Sequence, residues 1–445
     1  MKPYPEYKDS GVEWIGEIPA GWETKKLKFA TEVLPSNVDK HIHEEEIQVR
    51  LCNYTDVYYN EKINKNLTLK KGSCTEAEYQ KFSIQKNYVI LTKDSEARDD
   101  IGIPALVEED LEDVVCGYHL TMLKPLTIDG NYLYRFIQSS GTRKYFELNS
   151  NGVTRFGLGK SSIENLIVPQ PSKDEQQQIV SHLDIRTQQI DELIQNKEQK
   201  IKLLQEKRTA VINQAVTKGL NPDAEMKDSG VEWIGEIPKG WKKKKIKHLT
   251  SKIGSGVTPK GGAEVYKTSG IPILRSQNIH FDGLHLSEVA FITREIHESM
   301  YRSQVKPNDI LLNITGASLG RCCVVPDNFS EANVNQHVCI LRTLTDLDSS
   351  YLNYCLSSNV GQTQIWMGEN GTAREGLNFE SLGNITLFTP SFYEQTKIVS
   401  DLDTKTQQID QLISKEQRKI ELLKEYRQSL ISDAVTGKID VRDVA

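Results

Sequence analysis

A duplication constrains this chain more than any other feature. Lys8–Trp22 reads KDSGVEWIGEIPAGW and Lys227–Trp241 reads KDSGVEWIGEIPKGW, identical at 14 of 15 positions at an offset of 219 residues. Far downstream, Glu175–Thr217 and Glu394–Thr436 agree at 24 of 43 positions at that same offset. Between these blocks, Asn151-Gly152 and Gly157-Leu158 find Asn370-Gly371 and Gly376-Leu377, again 219 residues on. The 445 residues are therefore two copies of one module, a body followed by a helix. Two long copies make a pseudo-dimer, because a solenoid needs three or more short repeats.

The helical blocks read easily. Ile190, Ile194, Ile201, Leu204, Val211 and Ala215 keep three- and four-residue spacing, and Ile409, Ile413, Ile420, Leu423, Leu430 and Ala434 repeat it. Neither block holds an internal Gly or Pro, and they end near Gly219 and Gly437, so each predicts one unbroken helix. At ~1.5 Å per residue such a helix is ~65 Å long, too long for one small domain, and its narrow apolar stripe predicts a partner helix. Lys197 interrupts the stripe in one copy and Glu416 in the other. Antiparallel packing about that midpoint would set the two charges face to face; the alternative is that both are solvated, where ion pairs contribute little. The bodies diverge, with echoes such as Tyr132-Leu133 and Tyr351-Leu352. Their short apolar runs between Gly, Asn and Asp turns predict mixed α/β structure. Similar frames around unlike bodies point to two readers of unlike targets held at a fixed separation.

Enzyme chemistry is missing from the sequence. GLGKSS at Gly157–Ser162 lacks the glycine a phosphate loop needs five residues before Gly159, where Thr154 stands. HIHEEE at His41–Glu46 fits no usual zinc spacing and reads as a polar loop. No GxSxG, no dinucleotide GxGxxG and no Pro-Pro pair occurs, and the last excludes the (D/N/S)PP(Y/F/W) motif of amino-methyltransferases. Asp94–Asp113, with nine acids in twenty residues, reads as a solvated face. Seven cysteines without a CxxC argue against a disulfide framework or zinc finger, predict a strand around Cys322-Cys323, and imply a reducing, cytoplasmic setting. No apolar run approaches a membrane span, and the Lys- and Glu-rich start is no signal peptide. The chain by itself is expected to hold no catalytic residue, metal or cofactor. His119 (GYHLTML) and His337 (NQHVCIL) sit in similar apolar runs, as core or edge residues or facing a target.

A net charge of −6 makes no case for nucleic acid, so local charge must. Lys239–Lys252 holds seven lysines, Lys242 and Lys243 among them, and no acid; it is solvated surface or a stripe for phosphates. Candidates for reading bases are Arg275, Gln277 and Asn278, then Ser318, Gly320 and Arg321, then Arg374 in the second body. The first body offers Asn53, Tyr54 and Thr55, then Lys93, Ser95 and Arg98, then Arg155 and Lys160. Arg and Lys suit guanine O6/N7, and Asn and Gln suit adenine N6/N7.

The frame KDSGVEWIGEIPxGW, the phrase NGxxRxGL and the helix EQ(Q/T)xIVSxLDxxTQQID together resemble the specificity subunit of Type I restriction–modification systems. The resemblance covers both copies. It implies target-recognition domains at 1–172 and 221–390 and conserved spacer helices at 173–220 and 391–445. These helices would pack antiparallel as a coiled-coil ruler, with each domain reading half of a split double-stranded DNA target. It also implies partners: two methyltransferase (M) subunits that use S-adenosylmethionine to methylate adenine N6, and two restriction (R) subunits, with ATP and Mg, that can join. The helices are expected to form much of the M-binding surface, with Gln188, Ile190, Gln407 and Ile409 as frame positions. A stand-alone regulator would instead favour two similar bodies that bind a near-palindrome without M.

Overall fold

A computed structural model describes residues 2–232, 234–368 and 376–442. The chain divides into two units, Met1–Glu198 with Gln417–Ala445, and Gln199–Glu416. The repeated apolar stripes form two unbroken helices, Lys173–Lys218 and Phe392–Val435. Each unit therefore owns half of each helix. In the first unit Ile179, Leu183 and Ile190 from the start of the first helix share a core with Leu430, Ile431 and Ala434 from the end of the second. In the second unit Ile212, Ala215 and Val216 share a core with Ile398 and Leu402. Start meets end in both, so the halves run antiparallel. One ion pair recurs at the 219-residue offset: Arg427 Nε lies 3.0 Å from Asp191 Oδ1, and Arg208 Nε 3.0 Å from Asp410 Oδ1. Glu416 is not solvated: it is buried, and its carboxylate accepts from Lys200 Nζ at 2.9 Å.

The bodies dock on these helices through repeated polar contacts. Backbone N–H of Ser140 donates to Ser432 Oγ at 3.0 Å, and that of Asn359 to Asn213 Oδ1 at 2.8 Å. Asp129 N–H donates to Gln176 Oε1 at 2.8 Å, and Asp348 N–H to Gln395 Oε1 at 2.9 Å. The donors can change while the place is kept. Arg135 reaches Asp184 at 2.6 Å, whereas Tyr354 Oη reaches the equivalent Asp403 at 2.7 Å.

Each body is built on an antiparallel sheet with both faces covered. In the first, the strands run Thr31–Pro35, Leu120–Pro125, Val89–Thr92, Pro104–Val107 and Lys62–Ile63, the last pair parallel. Side chains alternate between faces. Val89 and Leu91 enter the core shared with the long helices, while Ile90 enters a second core under the sheet Val114–Cys116, Ile47–Cys52 and Lys70–Cys74. Burial on both faces is why such strands read as continuous apolar runs. In the second body, Thr250–Ser255, Val338–Thr343, Ile310–Asn313 and Cys322–Val324 form the sheet. Cys322 and Cys323 are adjacent on its last strand and enter opposite cores. All seven cysteines are buried and free.

Candidate nucleic-acid interface

At one end of the first body's sheet the chain leaves strand Val89–Thr92 and makes a short three-way ladder. Asp94–Ser95 pairs with Phe156–Gly157, which pairs with Asn151–Gly152. The phrase NGVTRFGL is thus a hairpin that presents Arg155. Gly152 lies at φ +141°, and a Cβ there would fall 1.8 Å from Arg155 O, so only glycine fits the turn. Lys93 N–H donates to His119 O at 2.9 Å, and Leu158 N–H to Lys93 O at 2.7 Å. Helix Tyr54–Tyr58 completes an open cavity of about 800 Å³ lined by Tyr54, Thr55, Tyr58, Asp94, Ser95, Glu96, Asp100, His119 and Arg155.

Its electrostatics are set by named pairs. His119 Nδ1–H donates to Asp94 Oδ2 at 2.6 Å, and Lys93 Nζ lies 3.1 Å from that same oxygen. Nδ1 being occupied, Nε2 is the nitrogen left for a ligand. Tyr58 Oη donates to Asp100 at 2.5 Å, and this bond holds the phenol's pKa up at about 12, so it stays a donor. Tyr54 and Tyr58 stack with ring centroids 5.5 Å apart.

The second body, unlike in sequence, repeats this wiring. Ile314 N–H donates to His337 O at 3.0 Å, and Leu377 N–H to Ile314 O at 2.9 Å. His337 Nδ1 and Thr315 Oγ1 are 2.6 Å apart, with Thr315 standing where Asp94 stands in the first body. Gln336 Nε2 lies 3.0 Å from His337 Nε2, which as an acceptor makes Nδ1 the protonated nitrogen here too. Buried Asn313 ties two loops together: its Nδ2 donates to Ser276 O at 2.8 Å and to Ser318 Oγ at 3.1 Å.

Of the residues singled out by sequence, Thr55, Ser95 and Arg155 line the first cavity. Lys93 and Arg98 stand beside it, the Arg98 guanidinium 5.1 Å from the centre of the Phe156 ring. Asn53 opens the tyrosine helix: its N–H donates to Asp56 Oδ2 at 2.8 Å and its amide to Leu51 O at 3.1 Å. Lys160 lies on a separate helix, Lys160–Glu164, 3.5 Å from Glu164. Lys242 and Lys243 belong to the frame, on strand Lys242–Lys245 paired with Thr386–Thr389, and are exposed. Arg275, Gln277, Ser318 and Arg321 fall on the two loops joined by Asn313. Arg275 leans over the Tyr266 ring and donates to Glu288 O at 3.3 Å. Asn278 is buried and its amide is used inside, accepting from Arg275 N–H at 3.0 Å and donating to His285 O at 2.9 Å. Arg374 lies outside the described residues.

Asp94–Asp113 is not one solvated face. Asp94 serves His119, Asp100 serves Tyr58, Glu108 takes Lys62 at 2.5 Å, and Asp113 takes Arg50 at 2.7 Å. Neither histidine is a core residue, since both are part-exposed. Sequence reasoning missed Tyr58 and Asn313. The one available signal was the recurrence of His119 and His337 ahead of equivalent strands.

Fold and site together define a two-headed recognition protein, one loop cluster per unit on a repeated frame. The family model for the Type I restriction modification DNA specificity domain matches residues 19–203 and again 238–422, and the chain belongs to that family. Membership gives it a DNA sequence-specificity role, one of recognition and not of catalysis. Among its relatives is the Type I restriction enzyme MjaIX specificity subunit of Methanocaldococcus jannaschii, 24% identical over 449 residues, covering 99% of this chain and 98% of the relative. Two solved structures share the fold. A chain from a type I R-M system, solved for its complex assembly and conformational transition, aligns with TM-score 0.73 and 16% identity over 95% of this chain and 99% of its own length. The HsdS subunit of Thermoanaerobacter tengcongensis aligns with TM-score 0.51 and 17% identity over 95% of this chain and 98% of its own. Among the described residues no helix is long and apolar enough to cross a membrane.

Proposed function

We propose that this chain reads an asymmetric, split DNA target, one half through each body, and carries two M subunits to it. Residues 1–172 and 221–390 are the target-recognition domains, and the segments 173–220 and 391–445, which carry the helices Lys173–Lys218 and Phe392–Val435, set their spacing. The observation that carries this reading is the shared wiring around His119 and His337, dressed with different side chains. The first cluster offers acceptors, Asp94 and Glu96, which suit the amino groups of cytosine or adenine. The second offers donors, Arg275, Gln277 and Arg321, which suit guanine and adenine. Lys160, Lys242 and Lys243 supply phosphate contacts. The target adenine is flipped into the M subunit, which brings S-adenosylmethionine; R subunits, with ATP and Mg, join the same assembly.

The test is a genome-wide map of N6-methyladenine in the source strain with and without this gene. Loss of one split motif with unlike halves supports the reading, and an unchanged map sinks it for a strain in which the M subunit is active. Point variants sharpen it. His119→Ala should weaken binding about 10- to 100-fold at a ~1–3 kcal/mol base contact and relax only one half-site, while His337→Ala, which releases the Thr315 and Gln336 side chains its two nitrogens hold, relaxes only the other. Relaxation of both halves by either variant would count against separate readers.

The helices also expose more leucine than their own seam uses. Leu193 and its equivalent Leu412 are 49% and 44% exposed, and Leu203 and its equivalent Leu422 are 54% and 47% exposed. Each unit thus shows one leucine from each helix, and covering the exposed half of each would contribute ~1 kcal/mol. Two equivalent pairs suit two M subunits. Leu203→Glu with Leu412→Glu should leave one M bound per chain, and glutamate at all four positions none, read by native mass spectrometry. Two M subunits retained on the fourfold variant would refute this docking surface.

A further inference from the structure

We infer that His280, Asp282 and His285 form a binding site for one divalent transition-metal ion of the zinc class. The three side chains sit on one tight hairpin in the second body, Ile279–His280 paired with Gly283–Leu284. His280 lies across from Gly283, and the ladder continues as His285 N–H donates to Asn278 O at 2.9 Å. His280 and His285 are therefore diagonal neighbours on one face of the hairpin. Their rings stack on that face, 4.0 Å between centroids and 17° from parallel. Asp282, in the turn, brings Oδ1 to 3.1 Å from His285 Nε2. Ligand atoms of all three lie within 4.8 Å of one another. A tetrahedral ion with bonds of about 2.0–2.1 Å needs them about 3.4 Å apart, a rotamer adjustment for part-exposed rings.

A second observation supports the assignment. His280 Nε2 lies 2.9 Å from Gln277 O, and because a carbonyl only accepts, Nε2 carries the proton and Nδ1 keeps its lone pair. Metal-bound histidines are commonly held this way, the second nitrogen donating to a backbone carbonyl. Two imidazoles and one carboxylate select zinc, cobalt or nickel over magnesium or calcium. Binding sets the ion between Asp282 and His285, 3.1 Å apart, and pins the hairpin that follows the Arg275–Asn278 loop. The site stands whether or not that loop meets DNA.

The test uses the untagged full-length chain, stripped of metal and titrated with Co²⁺. Expected is one Co²⁺ per chain with visible d–d absorption, displaced by Zn²⁺, and affinity reduced at least tenfold in His280→Asn and in His285→Asn. Asp282→Asn, at an exposed turn position, keeps the fold and should also weaken binding. No absorption at ~1 mM Co²⁺, or equal binding by wild type and all three variants, would overturn the site.

Discussion

Replacing Arg342 with leucine should destabilise the second body by about 3–5 kcal/mol, because it strands a buried carboxylate. Asp309 is fully buried at the start of strand Ile310–Asn313, level with Arg342 on the neighbouring strand Val338–Thr343. Arg342 grips it with both prongs, Nε to Oδ1 at 2.7 Å and Nη2 to Oδ2 at 2.7 Å, and Lys306 N–H donates to Oδ2 at 2.7 Å. Desolvating the charge is tolerable only while that fork is present. Leucine removes it, and the thermal midpoint should fall by roughly 10 °C. Arg342→Lys keeps the charge but not the bidentate geometry and should fall between. The double variant Asp309→Leu/Arg342→Leu should recover most of the loss, since an apolar pair needs no compensation. A double variant as unstable as the single one would show that the pair does more than neutralise itself.

How far the sequence alone reaches can be judged from particular residues. The frame was legible because repetition cancels ambiguity: Ile190 and Ile409 have the same neighbours twice, so the stripe, its length and its need for a partner could be read at once. The two target-recognition bodies were legible only as mixed α/β, since runs such as Val89–Thr92, buried on both faces, lack the alternation that reports a face. Loop convergence was not legible. Thr55, Ser95 and Arg155 are up to a hundred residues apart, and nothing local says that they share one cavity. The acids of Asp94–Asp113 looked uniform because composition cannot show that Asp94 faces a histidine while Asp113 faces an arginine. Asn278 and Asn313 mark the opposite error. Residue type and loop position make Asn278 a candidate base contact and leave Asn313 unmarked, yet both are buried and both spend their amides on shaping loops. An asparagine's role depends on which way its amide is turned, and that is a tertiary fact.

The largest change in function is expected from the helices. Inserting the same seven-residue segment after Lys197 and after Glu416, equivalent positions of the two helices, should lengthen the spacer between half-sites by about three base pairs and leave both half-sites unchanged. Seven residues add ~10 Å of helix, and at ~3.4 Å per base pair that is about three steps. Seven is the choice because it returns the apolar stripe to within ~20° of its original face. Ile190 and Ile194 can then still meet Leu423 and Leu430, and Arg208 can still meet Asp410. The same insertion in one helix alone slides one half of the pair ~10 Å past the other, so that Arg208–Asp410 and Arg427–Asp191 cannot both form, and should abolish methylation. Mapping N6-methyladenine in cells carrying each variant reads spacer and half-sites together. A double insertion that alters the half-site bases, or leaves the spacer as it was, would refute the helices as the element that sets the spacing.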